Sequence, residues 1–421
     1  MTQSEFARQF SHADVLLSQG RYQKAEVILE RLLATGFEDN DLYRMMAVAK
    51  MGLKKDGQAE ELCRMIISRT PNEAFAFYLL ATLRGRERNF PDALKNLDDA
   101  IKLDPTNTNF HAFKANILLQ TKDYVDALDA SNISIGLDAE NIDGLNARAS
   151  ALMGLNRKDE AFETIKKSLA TDPNNADTHA NMGWGLLHEG LSEKALIHFK
   201  AALKEEPLNN FAKAGMLEAM KAKFPVYRYF LMVMLWLGKL KGGNQWAVII
   251  GAYVFYRILF SLAENYKILQ PFLIPIIAVV VLFFISTWIF SPLMNLYLLS
   301  NPYGRLTLSK DQKISAKYVG FSLLFSLLSF ITYLLIFKNE GLLSMGFFAF
   351  AMMIPFGSMN SPILEKSRMK LNRATIVIAL FVIVDSCLAI FNNTFMSSVF
   401  FLPLLSLAGY QWFANYLLIK E

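Results

Sequence analysis

The chain has 421 residues, with 43 Lys and Arg against 38 Asp and Glu, a hydrophobic content of 53% and 33 phenylalanines. Residues 224–421 hold 15 of the basic and 6 of the acidic side chains, which leaves 28 and 32 for residues 1–223, so the two halves carry about +9 and −4. So few charges across the second half cannot make a soluble surface, which excludes both a single water-soluble globule and a disordered chain; a basic excess spread among apolar runs, with no basic face, argues against a nucleic-acid partner.

The N-terminus, MTQSEFARQFSHAD, has neither a basic n-region nor an apolar core, so no secretory signal is expected and the first half should stay on the side where it is made. From there alanine recurs at a fixed step of 34 residues: Ala25, Ala59, Ala93, Ala127, Ala161 and Ala195. A second column runs Ala13, Ala47, Ala81, Ala115, Ala149 and Gly183, and a third holds Pro71, Pro105, Pro173 and Pro207, with Ala139 at the one gap. Small side chains are needed where helices cross closely, and proline ends a helix because it cannot continue the hydrogen-bond ladder. Each unit is therefore predicted to hold two helices closed by a turn.

This pattern resembles the tetratricopeptide repeat family, whose unit is a 34-residue helix-turn-helix. The segments YVDALDA (124–130), PDALKNLDDAIKLDPTN (91–107) and SEKALIHFKAALKEEPLN (192–209) carry it. The resemblance covers residues 6–209 and places repeats at 6–39, 40–73, 74–107, 108–141, 142–175 and 176–209, with a capping helix at 210–223. It implies an all-α superhelix whose groove is lined by the first helix of each repeat and binds a protein or peptide. Carried onto this sequence, the family's groove positions are Phe75, Tyr78, Thr82 and Arg86, then Asn109, Asn116 and Gln120, then Asn146 and Ser150, and last Trp184 and His188. Asn and Gln can bond a peptide backbone as both donor and acceptor, and the aromatics can anchor apolar side chains. Asn116 stands at the Asn position of the family's carboxylate clamp, but Ala112 stands where its Lys should be, which argues against capture of a C-terminal carboxylate.

Beyond the repeats, residues 229–238 are apolar but too short to cross a bilayer, and basic residues flank them. They are predicted to form an interfacial helix within a linker, 224–243, with Trp236 at headgroup depth. A spanning helix needs about 20 mostly apolar residues. Six segments meet that length: 244–263, 271–291, 316–337, 341–358, 374–391 and 396–418, the second continuing as helix to about Leu299. Basic residues set the orientation. Segment 300–315 carries Arg305, Lys310 and Lys313, with Lys317 just beyond, and segment 359–373 carries Lys366, Arg368, Lys370 and Arg373; the other three connections hold only Lys267 and Lys338. This alternation puts a cytoplasmic domain (1–223), both basic segments and the C-terminus on one side of a six-span domain (244–421). A bacterial inner membrane fits. Within the spans, Arg257 and Asp385 lie at similar depth with opposite charge, so an ion pair between them is expected, with Glu264 as a second possible partner for Arg257. Segment 301–312, NPYGRLTLSKDQ, is rich in turn formers and polar residues and is expected to be a loop at the cytoplasmic surface.

The five histidines are His12, His111, His179, His188 and His198, and the two cysteines, Cys63 and Cys387, lie in different halves. No metal-ligand spacing, nucleophile motif or phosphate-binding loop is present. The sequence thus points to a membrane-anchored protein-interaction scaffold rather than an enzyme, with no cofactor and no metal. Its partners would be a protein or peptide in the groove, membrane lipid and a second membrane protein. The rival classes are a transporter or channel subunit regulated by its repeats, and an envelope-biogenesis factor.

Overall fold

The computed structural model describes residues 3–36, 39–362 and 364–420. The outer ends of the expected domains, at residues 1 and 421, lie outside them. Among the described residues the regular structure is helical, with no strand. Twelve helices come first, in sequential pairs: α1 (Gln3–Ser18) and α2 (Tyr22–Leu33), α3 (Asn40–Gly52) and α4 (Asp56–Arg69), α5 (Ala74–Arg86) and α6 (Phe90–Leu103), α7 (Thr108–Thr121) and α8 (Tyr124–Leu137), α9 (Ile142–Gly154) and α10 (Lys158–Thr171), α11 (Ala176–His188) and α12 (Ser192–Glu205). Then come α13 (Asn210–Lys221), α14 (Pro225–Lys239), α15 (Gly242–Asn265), α16 (Gln270–Ser300), α17 (Pro302–Thr307), α18 (Lys310–Leu335), α19 (Glu340–Ala351), α20 (Met353–Ser358), α21 (Glu365–Asn392) and α22 (Phe401–Lys420).

The chain divides into two compact units. The first is built from the chain up to Gly185, with His198–Ala212 and Gly238–Lys241; the second from Leu186–Ile197, Lys213–Leu237 and the chain from Gly242 onward.

In the first unit the alanine columns are where the helices touch. Ala13, Ala47, Ala81, Ala115 and Ala149 are at most 1% exposed, and Ala25, Ala59, Ala93, Ala127 and Ala161 are fully buried. The helices also approach too closely for a side chain at Gly154 and Gly183. A Cβ on Gly154 would lie 2.3 Å from the Tyr124 ring, and one on Gly183 would lie 2.7 Å from the Phe199 ring. That explains why the second column turns to glycine in α11. The first helices of successive pairs pack side by side, α3 on α5 and α7 on α9, so they share one face.

The second unit has the opposite polarity. On α21 the exposed side chains are Ile376, Val377, Leu380, Ile383 and Val384, while Thr375, Asp385 and Ser386 are buried. On α18 the buried Ser322, Ser326 and Ser329 donate to main-chain carbonyls of α19, at Ala349, Gly346 (2.8 Å) and Leu342 (2.5 Å). Small polar residues that bond across helices suit surroundings without water, where apolar side chains can face out. Gly341 lets the start of α19 meet the end of α21, since a Cβ there would lie 2.3 Å from the Ala389 carbonyl carbon.

Five helical stretches are long and apolar enough to cross a membrane: Ala247–Asn265, Lys267–Thr287, Lys310–Leu335, Glu340–Ser358 and Glu365–Asn392. They overlap the first five expected spans. Two details differ from the sequence reading. The fourth stretch is divided at Met352, between α19 and α20. Segment 301–312 is not an extended loop: α17 occupies its middle, and Ser309 caps α18 in a reciprocal box with Gln312. As expected, α16 runs on to Ser300.

The expected Arg257–Asp385 pair is not formed. Asp385 is fully buried and accepts hydrogen bonds from Ser344 (3.0 Å) and Ser397 (2.6 Å). Arg257 is exposed on α15, whose main helical neighbour is α16. Two hydroxyl donors satisfy the carboxylate locally, so it needs no cation from a distant helix.

Candidate functional site

The first unit concentrates aromatic area on its first-helix face. Tyr78 of α5 stacks on Phe110 of α7 (centroids 5.2 Å apart), meets Phe113 edge-on (5.4 Å) and contacts Phe75 (5.5 Å). Phe110 is buried, so it holds the others in place from below. Above this floor lies a pocket of about 350 Å3, lined by Phe75, Tyr78, Asn107, Asn109, Phe110, Phe113, Asn116 and Asp143. Asn109 accepts a hydrogen bond from Asn141 (3.1 Å), which fixes its amide at the rim.

Asp143 is the one carboxylate lining the pocket. Desolvation by the surrounding protein raises its pKa, and the Asp177 carboxylate adds to the rise. Burial likewise raises the Tyr78 phenol, with a further push from Asp143. Asp143 and Asp177 are one repeat apart, so the negative field continues toward α11. The arrangement offers an apolar floor, amides that bond backbone, and an acidic edge; it offers no nucleophile. Among the described residues no group of three or more His, Cys, Asp or Glu is placed to hold a metal ion.

The structure brings together four of the groove residues read from sequence: Phe75, Tyr78, Asn109 and Asn116. The others lie outside this pocket, several of them occupied elsewhere. Thr82 bonds back to the Tyr78 carbonyl (3.0 Å). Arg86 reaches the Met51 carbonyl (2.8 Å) and Asp56 (3.0 Å), tying α5 to the preceding pair. Asn146 accepts from Thr178 (2.9 Å). Trp184 stacks on Phe211, meets Phe199 edge-on and donates to the Phe211 carbonyl (3.3 Å). Ser150 and His188 are half-buried and Gln120 is exposed. The sequence reading passed over Asn107, Phe110, Phe113 and Asp143. For Asp143 a signal existed, because it stands 34 residues after Asn109 and 68 after Phe75 in one groove column.

Family models for the tetratricopeptide repeat match residues 78–141 and 142–175, the part of the chain that holds this pocket apart from Phe75. The chain therefore carries tetratricopeptide repeats. Among curated proteins it is similar to cellulose synthase operon protein C of Pseudomonas fluorescens, 28% identical over 38% of this chain and 13% of that one. It is also similar to protein FlbA of Caulobacter vibrioides, 25% identical over 42% of this chain and 29% of that one. The chain thus spans less than a third of either relative. Among solved structures, that of Pseudomonas aeruginosa pilF is 15% identical, with a TM-score of 0.41, covering 50% of this chain and 95% of that one.

Proposed function

We propose that this chain is a membrane-anchored scaffold that recruits a partner protein through the groove of its repeats. The observation that carries the proposal is the pocket of Phe75, Tyr78, Asn109, Asn116 and Asp143. Its chemistry fits an extended segment that seats an apolar side chain on the Tyr78–Phe110 floor, bonds its backbone to the Asn109 and Asn116 amides, and sets a Lys or Arg near Asp143. Binding needs no covalent step.

Anchoring rests on the five apolar helices, with α22 as a sixth span and α14 lying at the lipid interface. On α14, Val226, Tyr229, Val233 and Trp236 make an exposed stripe at helical spacing, with Arg228 and Lys239 nearby on the same helix. In this reading the repeats and the C-terminus lie in the cytoplasm, at a bacterial inner membrane, and the basic segments support that sidedness. The full set of six repeats between residues 6 and 209 and the domain bounds at 223 and 243 belong to the same proposal.

The test is co-purification of the full chain from native membranes in mild detergent, followed by the same capture with Tyr78→Ala combined with Asn116→Ala. Losing a pocket-centre aromatic and a backbone-bonding amide is expected to weaken capture by about 2–4 kcal/mol, enough to remove a micromolar partner from the eluate. Undiminished recovery of every stoichiometric partner would reject the groove.

A further inference from the structure

The second unit holds its own cavity, of about 600 Å3, where segments 300–315 and 359–373 enter the bundle. We infer that it binds a neutral, hydroxyl-rich group the size of one or two sugar rings, supplied either as a free saccharide or as the headgroup of a glycolipid. This inference is independent of the groove reading.

Three observations carry it. First, Asn295 of α16 and Gln411 of α22 both line the cavity, and their side-chain oxygens are buried yet accept no hydrogen bond from any described residue. Buried polar groups are normally satisfied, so unmet acceptors on a cavity wall ask for donors from whatever fills it. Asn372 and Ser386 are also unmet, but neither lines this cavity. Second, the charged groups on the wall are already matched. Arg368 pairs with Asp311 (2.9 Å) and gives Nε and Nη2 to the Pro362 carbonyl (3.4 and 3.3 Å). Third, the size suits a small molecule, since ligand pockets commonly run from about 300 to 1,000 Å3.

These facts separate the candidate ligands. A phosphodiester brings only acceptors to two unmet acceptors, and the lining cation is already neutralised. An ammonium ion finds the lining carboxylate already paired. A hydroxyl both donates and accepts, so it can satisfy the Asn295 and Gln411 oxygens while accepting from their amide N–H groups and from Ser361 at the exposed rim. The site also has a link to the unit's other helices: Ser291, on its wall, accepts from the buried Lys221 (3.3 Å), which pairs with Glu218 (2.9 Å).

The experiment uses the full chain in nanodiscs. Free-saccharide arms titrate methyl glucoside and sucrose; a glycolipid arm replaces part of the phosphatidylcholine with monoglucosyl diacylglycerol; controls use inorganic phosphate and phosphatidylmethanol, an anionic lipid without headgroup hydroxyls. Saturable binding in a saccharide or glycolipid arm is expected, and the arm that responds identifies the source. Asn295→Leu and Gln411→Leu should each weaken it about tenfold, the loss of one hydrogen bond in a buried site. Ser361→Phe, at an exposed position, should block it by filling the mouth. No saturable binding in either sugar arm would overturn the inference. So would binding that survives all three substitutions, or saturation by phosphate or phosphatidylmethanol in place of sugar.

Discussion

At six places, each 34 residues after the last, the backbone enters left-handed helical space: Gly20, Lys54, Arg88, Lys122, Asn156 and Gly190, with φ from +58° to +72°. Each lies in the turn between the two helices of a pair. An L side chain there costs roughly 1–2 kcal/mol, because Cβ crowds the following carbonyl, and glycine avoids the clash. The first and last turns use glycine; the middle four do not. Lys122 has a compensating role, since its ammonium donates to the Leu240 carbonyl (2.8 Å). No such bond fixes the Arg88 side chain among the described residues. Arg88→Gly is therefore expected to stabilise the chain by about 0.5–1 kcal/mol, after allowing for glycine's greater freedom when unfolded. Thermal melting of wild type and variant checks this, and a lower midpoint for the variant would contradict it.

At the scale of helices, α11 and α12 are joined by a histidine pair. His179 donates through Nε2 to the Pro173 carbonyl (3.0 Å), so its neutral Nδ1 accepts from His198 Nδ1–H (3.0 Å). Burial, and then the neighbouring His179, hold the His198 pKa below its ordinary 6.5. The unfolded chain therefore takes up a proton at a higher pH than the folded one. Stability from this pair is complete above about pH 6.5 and falls as pH drops through the depressed folded value. A falling melting temperature between pH 7 and 5 is expected, and His198→Gln should shrink the fall; an identical slope in both proteins would remove the pair from the account. The helices were largely legible in the sequence, because a column of small residues at a 34-residue step is a one-dimensional signal that survives without any three-dimensional information. The pocket was half legible. Phe75, Tyr78, Asn109 and Asn116 lie at fixed repeat positions, but Phe110 and Phe113 join them only because α7 turns those sides toward Tyr78. That rotation depends on packing between pairs. The expected Arg257–Asp385 pair failed for a related reason. Depth along a span is readable from spacing, but which helices are neighbours is not, and Ser344 and Ser397 were closer donors.

For the whole molecule, the contrast between its two kinds of surface is the feature that sequence and structure share. Buried alanine columns with charged exteriors fill the first unit, whereas exposed isoleucine, valine and phenylalanine surround buried serine, threonine and Asp385 in the second. Exposing Phe272, Phe321 and Ile383 to water would be costly, at roughly 25 cal/mol per Å2 of apolar surface, and lipid removes that cost. In the proposed reading, with lipid around these helices, sidedness follows from the basic segments, which with the adjoining Lys317 hold eight basic residues against two in the other connections. Single cysteines read that arrangement directly. The native thiols interfere little: Cys63 is buried, with its pKa pushed up to about 12, and Cys387 can be changed to Ala. In sealed right-side-out vesicles, an impermeant maleimide is expected to label Thr394→Cys, and to reach Met369→Cys and Ser18→Cys only after the membrane is opened. Labelling of position 369 without position 394 would invert the orientation. Labelling of position 18 with position 369 protected would separate the repeats from the basic segments, and the cytoplasmic scaffold would have to be abandoned.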